Sequence, residues 1–443
     1  MAISLAPAVP GGMPFIGHAK LLGTDPFSFL DTARRKYGDH FRFRMVGRSM
    51  HALTSPAGHK AFFDAPKDQL SAREAYQMTV PMFGEGVMFG ATPEIMEEQL
   101  RLIHPLLRGG MLESHTDSIL REMEQIAHSM GATGVIDLRN LITELVMLIV
   151  ARAFVGEDFR DMLTPHFARL YRDLEGGINP IAYLAPNFPT IANHKRNRAR
   201  RAILRLLLPL IAQRRARKAM EDDFLSGVIN SRYPDGSAPK DEEIVGMLLA
   251  MLLASRHTTS MTATWVGITL LQNPEEFAAI QSEAAEKIGG ASITPATIKS
   301  LTRMDCFVKE VERCYPICTM MIRKVLRDFE FGGFVAPAGA SVMISPFVSH
   351  RLEKSFSEPH RFDPARFGPD REEDKRTPHS LIGFGGGKHR CLGISFAYYV
   401  IKVIWTLLPQ HFDFELIDRN PVHLHNSMQS SLTAARVRYT RKY

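Results

Sequence analysis

The chain has 443 residues, of which 45% are hydrophobic, and a formal net charge of +7. This length and composition allow one large helical domain with a sizeable core and a small β subregion. All four cysteines lie beyond residue 305, which excludes a disulfide framework spanning the fold and suits a reducing compartment. The charge permits an acidic protein partner or an anionic surface, whereas no named nucleic-acid-binding motif is present.

The amino-terminal part of the chain predicts turns and strands. Residues 7–15 are rich in proline and glycine and predict a stiff, turn-rich entry. Residues 41–53 alternate between polar and apolar side chains around Gly47-Arg48, which predicts a β-hairpin. No basic segment followed by an apolar run begins the chain, so we expect no signal peptide. From Pro93 to Lys218 the apolar pattern is helical, with breaks at glycines and prolines.

The second half of the chain predicts a long helix followed by mixed structure. Residues 240–272 form one helical pattern that is apolar on most sides, so this helix should run through the core. No apolar run is long enough to span a membrane, so we expect no membrane anchor and a cytoplasmic protein. A second helix is expected over 304–313, and short strands over 323–331, 341–344 and 432–439.

Cys391 carries the most specific chemical pattern. A glycine-rich loop delivers it to the start of an apolar helix. Glycines let the backbone pass close to a flat ring, and a helix N-terminus with basic neighbours lowers a cysteine pKa. Such a thiolate is suited to bind haem iron and to favour O–O cleavage; the simpler alternative is a buried cysteine after a turn. The motif reads Phe384-Gly385-Gly386-Gly387-Lys388-His389-Arg390-Cys391-Leu392-Gly393.

Two sets of charged residues accompany this cysteine. Glu310 and Arg313 share a helix face, and Arg366 from a distant loop is expected to join them in a buried network that holds the cysteine loop. A solvated i,i+3 salt bridge is the alternative, and it would contribute little to stability. A second set, the candidates to bind the two haem propionates, could instead be surface charges; it comprises His104, Arg108, Arg323 and His389.

Polar residues interrupt the long apolar helix at 254–259, where they are costly unless they serve a purpose. Thr258 can bond a backbone carbonyl and open a local groove for dioxygen and water. His257 can relay protons near neutral pH. The alternative is a satisfied core histidine beside helix-bending threonines.

Two further segments have less specific patterns. Residues 76–89 form an apolar, aromatic and glycine-broken loop that is either a pocket wall or an ordinary buried loop. Residues 194–218 carry many basic side chains on a helical pattern. Such a helix can lie on a membrane or meet a partner, although a solvated helix face is the simpler interpretation.

Together these residues resemble the cytochrome P450 superfamily of haem-thiolate monooxygenases over nearly the whole chain. The resemblance implies a mainly α fold with a small β subregion, in which haem b (iron protoporphyrin IX) lies between the long central helix and the cysteine-loop helix. It also implies one domain, residues 1–443. The expected β-rich subregion and helical core are residues 1–60 with 320–350 and 430–440, and residues 93–315 with 391–410.

Within the superfamily the chain is similar to the sterol 14α-demethylase family, through the 76–89 loop and through His257 at a position where most other members have an acid. The resemblance implies that Cys391 is the axial iron ligand, that His257 and Thr258 deliver protons, and that a separate ferredoxin with its reductase supplies electrons. Activity would comprise three successive oxidations that remove a sterol 14α-methyl group as formate. The implied substrate pocket comprises Tyr76, Met78, Phe83, Phe89, Leu253, Ala254, Cys318, Met320 and Met428.

Several residues depart from the family pattern. Ser255 replaces a glycine next to the expected haem, Gly90 replaces an acid, and Val311-Glu312 precede Arg313 in place of a Thr-Leu pair. These departures leave two alternatives open: a related enzyme that hydroxylates another steroid, terpenoid or lipid, and a haem or lipid carrier without turnover. A third, based on residues 194–218 alone, is a basic peripheral-membrane or nucleic-acid-binding protein.

Overall fold

The computed structural model describes residues 4–107, 111–160, 165–217, 223–425 and 429–442, and 57% of the chain is helical. The first ten α-helices are α1 (Ala19–Thr24), α2 (Pro26–Tyr37), α3 (Pro56–Asp64), α4 (Ala72–Ala75), α5 (Val80–Phe83), α6 (Pro93–Ile103), α7 (Met111–Ser129), α8 (Leu138–Val155), α9 (Glu157–Arg160) and α10 (Pro165–Glu175). The remaining ones are α11 (Pro180–Leu184), α12 (Ile191–Arg217), α13 (Phe224–Asn230), α14 (Asp241–Gln272), α15 (Pro274–Ile288), α16 (Pro295–Lys299), α17 (Thr302–Cys314), α18 (Pro346–Ser349), α19 (Glu373–Arg376) and α20 (Ile394–His411). Short 3-10 helices cover Gln77–Thr79, Met88–Gly90, His104–Leu107, Pro364–Phe367 and Gly387–His389.

The strands form four small sheets. They are β1 (Ser4–Leu5), β2 (His40–Met45), β3 (Arg48–Leu53), β4 (Leu70–Ser71), β5 (Thr133–Asp137), β6 (Met321–Val325), β7 (Phe329–Phe331), β8 (Phe334–Ala336), β9 (Ser341–Ile344), β10 (Phe412–Leu416), β11 (His423–Leu424), β12 (Ser431–Leu432) and β13 (Arg436–Arg441). The sheet orders are β2-β3-β9-β6-β4, β1-β8-β7, β10-β13-β5 and β11-β12.

The main sequence-predicted elements are present. The hairpin pairs β2 with β3 in antiparallel register, Phe43 opposite Met50. The long helix is α14, and the second is α17. The predicted strand at 432–439 is interrupted, because the backbone N–H of Ala435 bonds the Asp137 side chain, and β13 begins only at Arg436. Strands β4, β5, β10 and β11 lie outside the expected β-rich segments.

Helix α14 runs through the largest apolar core, which it shares with α8, α17 and α20. Among the described helices it alone is long and apolar enough to cross a membrane by length and composition, and 61% of its most apolar window is buried inside the protein. That burial is what a helix through the middle of a globular core requires.

Gly267 sets the close approach of α14 to α20. A Cβ at Gly267 would lie 1.8 Å from the Trp405 ring, so only glycine fits there without displacing the indole. The indole N–H of Trp405 donates a hydrogen bond to the Ala263 carbonyl at 2.7 Å. The helix that follows Cys391 is therefore held directly against the central helix.

Candidate active site

Cys391 is placed by the backbone of the loop before α20. Its N–H donates to the Phe384 carbonyl at 2.8 Å, which closes the loop at its base. Gly385 has φ +73°, and a Cβ there would lie 2.6 Å from the His389 carbonyl oxygen, so this turn requires glycine. The loop is therefore built around its glycines, and it presents Cys391 to a cavity in the middle of the molecule.

This central cavity has a volume of about 590 Å³, within the range of small-molecule sites. Cys391 and Phe396 line it from the side of α20, and Ala254 and Thr258 line it from α14. The pocket residues expected from the sequence that line it are Tyr76, Met78, Phe83, Phe89, Leu253, Ala254, Cys318 and Met320. The remaining expected pocket residue, Met428, lies outside the described residues.

Sequence reasoning missed other lining residues. Met96 and Leu100 are four apart on α6, so an apolar helix face was a usable signal. Ala250 lies one turn before Ala254 on α14, and this spacing was a second usable signal. Seven more lie inside segments that the sequence had singled out as 76–89, 254–259 and the cysteine motif: Thr79, Met88, Ser255, Thr259, Phe384, Leu392 and Gly393. No local pattern indicated the rest, which are Leu107, Phe154, Glu175, Ile178, Met251, Phe396, Ala397 and Gln429.

Two cysteines line the cavity, and their surroundings differ. Cys318 is held in an apolar setting, where burial raises the pKa of its thiol to about 11 and keeps it protonated at neutral pH. Cys391 has Lys388 and Arg390 beside it and a helix starting three residues later, an arrangement that favours a thiolate. Of the two sulfurs, Cys391 is the one suited to bind a metal ion.

The hydroxyl groups on the α14 side of the cavity bond their own helix. Thr258 donates to the Ala254 carbonyl at 2.5 Å, and Ser255 donates to the Met251 carbonyl at 2.6 Å. Each hydroxyl proton is thereby directed into the helix, and each oxygen keeps lone pairs that accept hydrogen bonds from the cavity. The bond from Thr258 to a backbone carbonyl is the one expected from the sequence, and α14 is continuous α-helix around it.

His257 lines the cavity and points one ring nitrogen at the protein. Its Nε2 donates to the Ser430 carbonyl at 3.0 Å, since a carbonyl oxygen accepts only. Burial lowers the pKa of His257 below its usual value, which favours a neutral ring at physiological pH. The neighbouring Arg256 is bound by Glu175 at 2.5 Å, and its guanidinium lies 5.1 Å from the centre of the Tyr171 ring.

Arg323 is a buried cation with no carboxylate bound to it among the described residues. It is 4% exposed, donates to the Phe62 carbonyl at 2.6 Å and covers the Phe62 ring at 4.4 Å. Burial lowers its pKa to about 10. Burial first, and then the Arg323 charge, lower the pKa of His389 to about 4. An anionic group would relieve this unbalanced positive charge.

The other three propionate candidates differ in their positions. His104 is half-buried in a 3-10 turn and does not line the central cavity. The expectation for His104 assumed that an α-helix continues through it, but α6 ends at Ile103. Arg108 lies outside the described residues. His389 lines a separate surface cavity beside Lys67 and Lys388, and it interacts electrostatically with Arg323. The residues present suit haem b, because Cys391 lines the central cavity and because Arg323, which does not itself line that cavity, is a buried cation whose charge a propionate would balance.

Glu310 binds two arginines in the interior. Arg313 forms two bonds to its carboxylate, at 2.7 and 2.8 Å, and Arg366 donates to it at 3.1 Å. All three side chains are 0% exposed, so the alternative of a solvated salt bridge is wrong. Arg366 also binds Glu373 at 2.8 Å. Burial opposes the ionisation of Glu373, but hydrogen bonds from Ser357, Arg371 and Arg366 outweigh it and lower its pKa to about 2.

This network reaches the cysteine loop through backbone contacts. Arg313 donates to the carbonyls of His350 and Pro359, at 2.9 and 2.7 Å. The His350 ring accepts the N–H of Ile382 at 2.9 Å, and the Ile382 carbonyl accepts the N–H of Gly385. The segment that leads to Cys391 is therefore tied to α17 by continuous hydrogen bonding.

We expect Arg366→Leu to lower the free energy of unfolding by about 3–5 kcal/mol, because it leaves the buried carboxylates of Glu310 and Glu373 short of a partner. Arg361→Ala is the matched control: its ion pair with Glu358 is 67% and 72% exposed, so the change should stay within about 0.5 kcal/mol. Urea unfolding of the haem-loaded proteins measures both. Equal effects would contradict a buried network.

Arg323→Met should release haem roughly tenfold faster, since a charge-assisted hydrogen bond contributes about 1.5–3 kcal/mol. The adjacent Lys324→Met is the control, because Lys324 is only partly buried and donates to the Gly339 carbonyl, whereas Arg323 is buried. Transfer of haem to an apo-globin acceptor, followed by absorbance, gives both rates. A wild-type rate for Arg323→Met would show that this cation does not bind the cofactor.

Comparisons with known proteins give a consistent match. A family model described as Cytochrome P450 matches residues 7–440. An obtusifoliol 14-alpha demethylase of Sorghum bicolor is 33% identical over 96% of this chain and 88% of its own length. A sterol 14alpha-demethylase of Mycobacterium tuberculosis is 32% identical over 94% and 93%. A retinoic acid bound cyanobacterial CYP120A1 structure shares the fold, with a TM-score of 0.88, 21% identity and complete coverage of both chains.

Proposed function

The chain belongs to the cytochrome P450 family, and on that premise we propose that it oxidises a sterol-like substrate by 14α-demethylation. As a member it is a haem b-binding monooxygenase, an oxidoreductase that incorporates oxygen from dioxygen. This proposed activity is more specific than membership of the family. It is supported by relatives named as sterol 14-demethylases in plants, bacteria and mammals, which share 32–33% identity over nearly the whole chain.

The observation that carries the proposal is the central cavity. Apolar side chains form most of its wall, as a flat hydrophobic ring system requires. Met78, Phe83 and Phe89 would bind such a ring system and exclude water, and Tyr76 stacks against Phe89 with ring centres 4.9 Å apart. The substrate would thereby be oriented by shape, with few polar contacts.

The remaining roles follow from the position of each side chain. Cys391 would hold the haem iron, and Arg323 would bind a haem propionate. Bound haem b supplies dioxygen activation and oxygen insertion into a C–H bond. Thr258 directs its own proton to Ala254, so its oxygen would accept a hydrogen bond from water held in the cavity. His257, neutral and bound to Ser430, would exchange protons with that water.

Electron supply comes from outside the described chain. We propose a ferredoxin with its reductase, because Lys388 and Arg390 are exposed beside the cysteine loop and suit an acidic partner. Because the chain is similar to bacterial relatives, we also propose a cytoplasmic location. Three successive oxidations, each supplied with electrons by this partner, would remove the 14α-methyl carbon as formate.

A second candidate function is hydroxylation of another steroid, terpenoid or lipid. Ser255 favours it, because its side chain lines the cavity at a position where the resembled family has glycine. The extra hydroxymethyl group reduces the space available to the substrate on the α14 side. Its hydroxyl is bound to Met251, so this group has a fixed position.

Sterol titration of the haem-loaded protein, followed by turnover with a ferredoxin and reductase, tests the proposal. We expect 14α-methyl sterols to shift the spectrum from low to high spin and to yield formate. The same sterols without the 14α-methyl group should bind and yield none. Absence of both responses with every 14α-methyl sterol would contradict the proposal. Turnover gained only in Ser255→Gly would favour the second candidate function.

A further inference from the structure

Glu312 is a buried acid that belongs neither to the Glu310 ion-pair network nor to the proton-handling pair His257 and Thr258. It lies between Glu310 and Arg313 on α17, is 7% exposed, and forms no ion pair among the residues that the structure describes. Its carboxylate accepts a hydrogen bond from the Tyr398 hydroxyl at 2.7 Å. An isolated carboxylate is costly to bury, so its position calls for a reason.

A second cavity connects this carboxylate to solvent. The Glu312 cavity has a volume of about 890 Å³ and is bounded by Glu312, Tyr398, Phe384 and Arg390. It lies on the side of the cysteine loop away from α14, and Phe384 lines both this cavity and the central one. Water in the Glu312 cavity would have direct access to the carboxylate.

Short contacts join Glu312 to the cysteine loop without touching the cysteine itself. A Cβ at Gly383 would lie 2.5 Å from Glu312 Oε1, so the carboxylate packs on the loop backbone. The Tyr398 ring lies 5.5 Å from the Phe384 ring, centre to centre. The Phe384 carbonyl in turn accepts the N–H of Cys391. A change of charge at Glu312 therefore alters the electrostatic potential within a few residues of Cys391.

We propose that Glu312 is a positioning residue that takes up a proton when the haem bound at Cys391 is reduced. One electron from an external one-electron donor enters the haem, and one proton from water enters the carboxylate through the Glu312 cavity. The added charges cancel, and no other bond forms or breaks. Electron delivery is then coupled to protonation on the cysteine side of the haem.

The electrostatics around Glu312 support this coupling. Burial raises its pKa to about 7, against the Tyr398 hydrogen bond and the positive charges of Lys309 and Arg390, while Asp374 raises it further. Lys402, on α20, is bound by Asp305 at 3.2 Å, and His379 shares the cavity. An electron added nearby raises the pKa again and favours proton uptake. By linkage, the reduction potential should fall as pH rises through about 7.

The test is a spectroelectrochemical titration of purified, substrate-free, haem-loaded protein from about pH 5.5 to about pH 8.5. The wild-type reduction potential should fall with rising pH in this range. Glu312→Gln keeps an acceptor for Tyr398 but cannot ionise, so that fall should disappear. Asp374→Asn, which removes a charge lining the same cavity, should keep it. A pH dependence in Glu312→Gln equal to that of the wild type would overturn the proposal.

Tyr398→Phe provides a second variant if Glu312→Gln does not retain haem. It keeps the acid but removes the hydrogen bond that stabilises the carboxylate, so the inflection of the potential should move to higher pH. An unmoved inflection would overturn the proposal. The inference requires haem binding but no sterol, and the titration contains no substrate, so its failure leaves the proposed function unaffected.

Discussion

The carboxylate of Glu310 is the constraint on which the rest of the site depends. A fully buried carboxylate is tolerated only where cations and hydrogen bonds replace its lost hydration. Here Arg313 and Arg366 do so, and both are themselves fully buried. Arg313 meets Glu310 within α17, but Arg366 can do so only if the segment from His350 to Glu373 folds back onto this helix. That segment is hydrogen-bonded to the start of the cysteine loop through His350 and Ile382, and the loop places Cys391 at the central cavity.

Much of this arrangement follows from local sequence. The apolar run of α14 requires burial, and residues 76–89 provide a pocket wall because glycines break their apolar and aromatic run. Leu253 and Ala254, in contrast, were expected through the resemblance to a known family. The i,i+3 spacing of Glu310 and Arg313 indicates one half of the network, and the resemblance to a known family adds Arg366. These features depend on residues near one another in the chain, or on a motif whose members occur in a fixed order.

What the sequence did not predict depends on distant contacts. The pairing of Arg256 with Glu175 joins helices α14 and α10, and no pattern in either segment indicates it. His104 and His389 have the right chemistry for a propionate, but both lie in 3-10 turns and, like Arg323, neither lines the central cavity. Glu312 looked like a departure from a motif, and only packing against Gly383 and Tyr398 gives it surroundings that raise its pKa.

We propose that the Cys391 thiolate, and no other sulfur, holds the haem. The absorption spectrum of the reduced, carbon-monoxide-bound protein tests it most directly, with Cys391→Ser compared against Cys318→Ser, since both cysteines line the central cavity. We expect wild type and Cys318→Ser to show the long-wavelength Soret band of thiolate ligation. Cys391→Ser should lose it. A band that persists in Cys391→Ser, or is lost in Cys318→Ser, would contradict this assignment of the ligand.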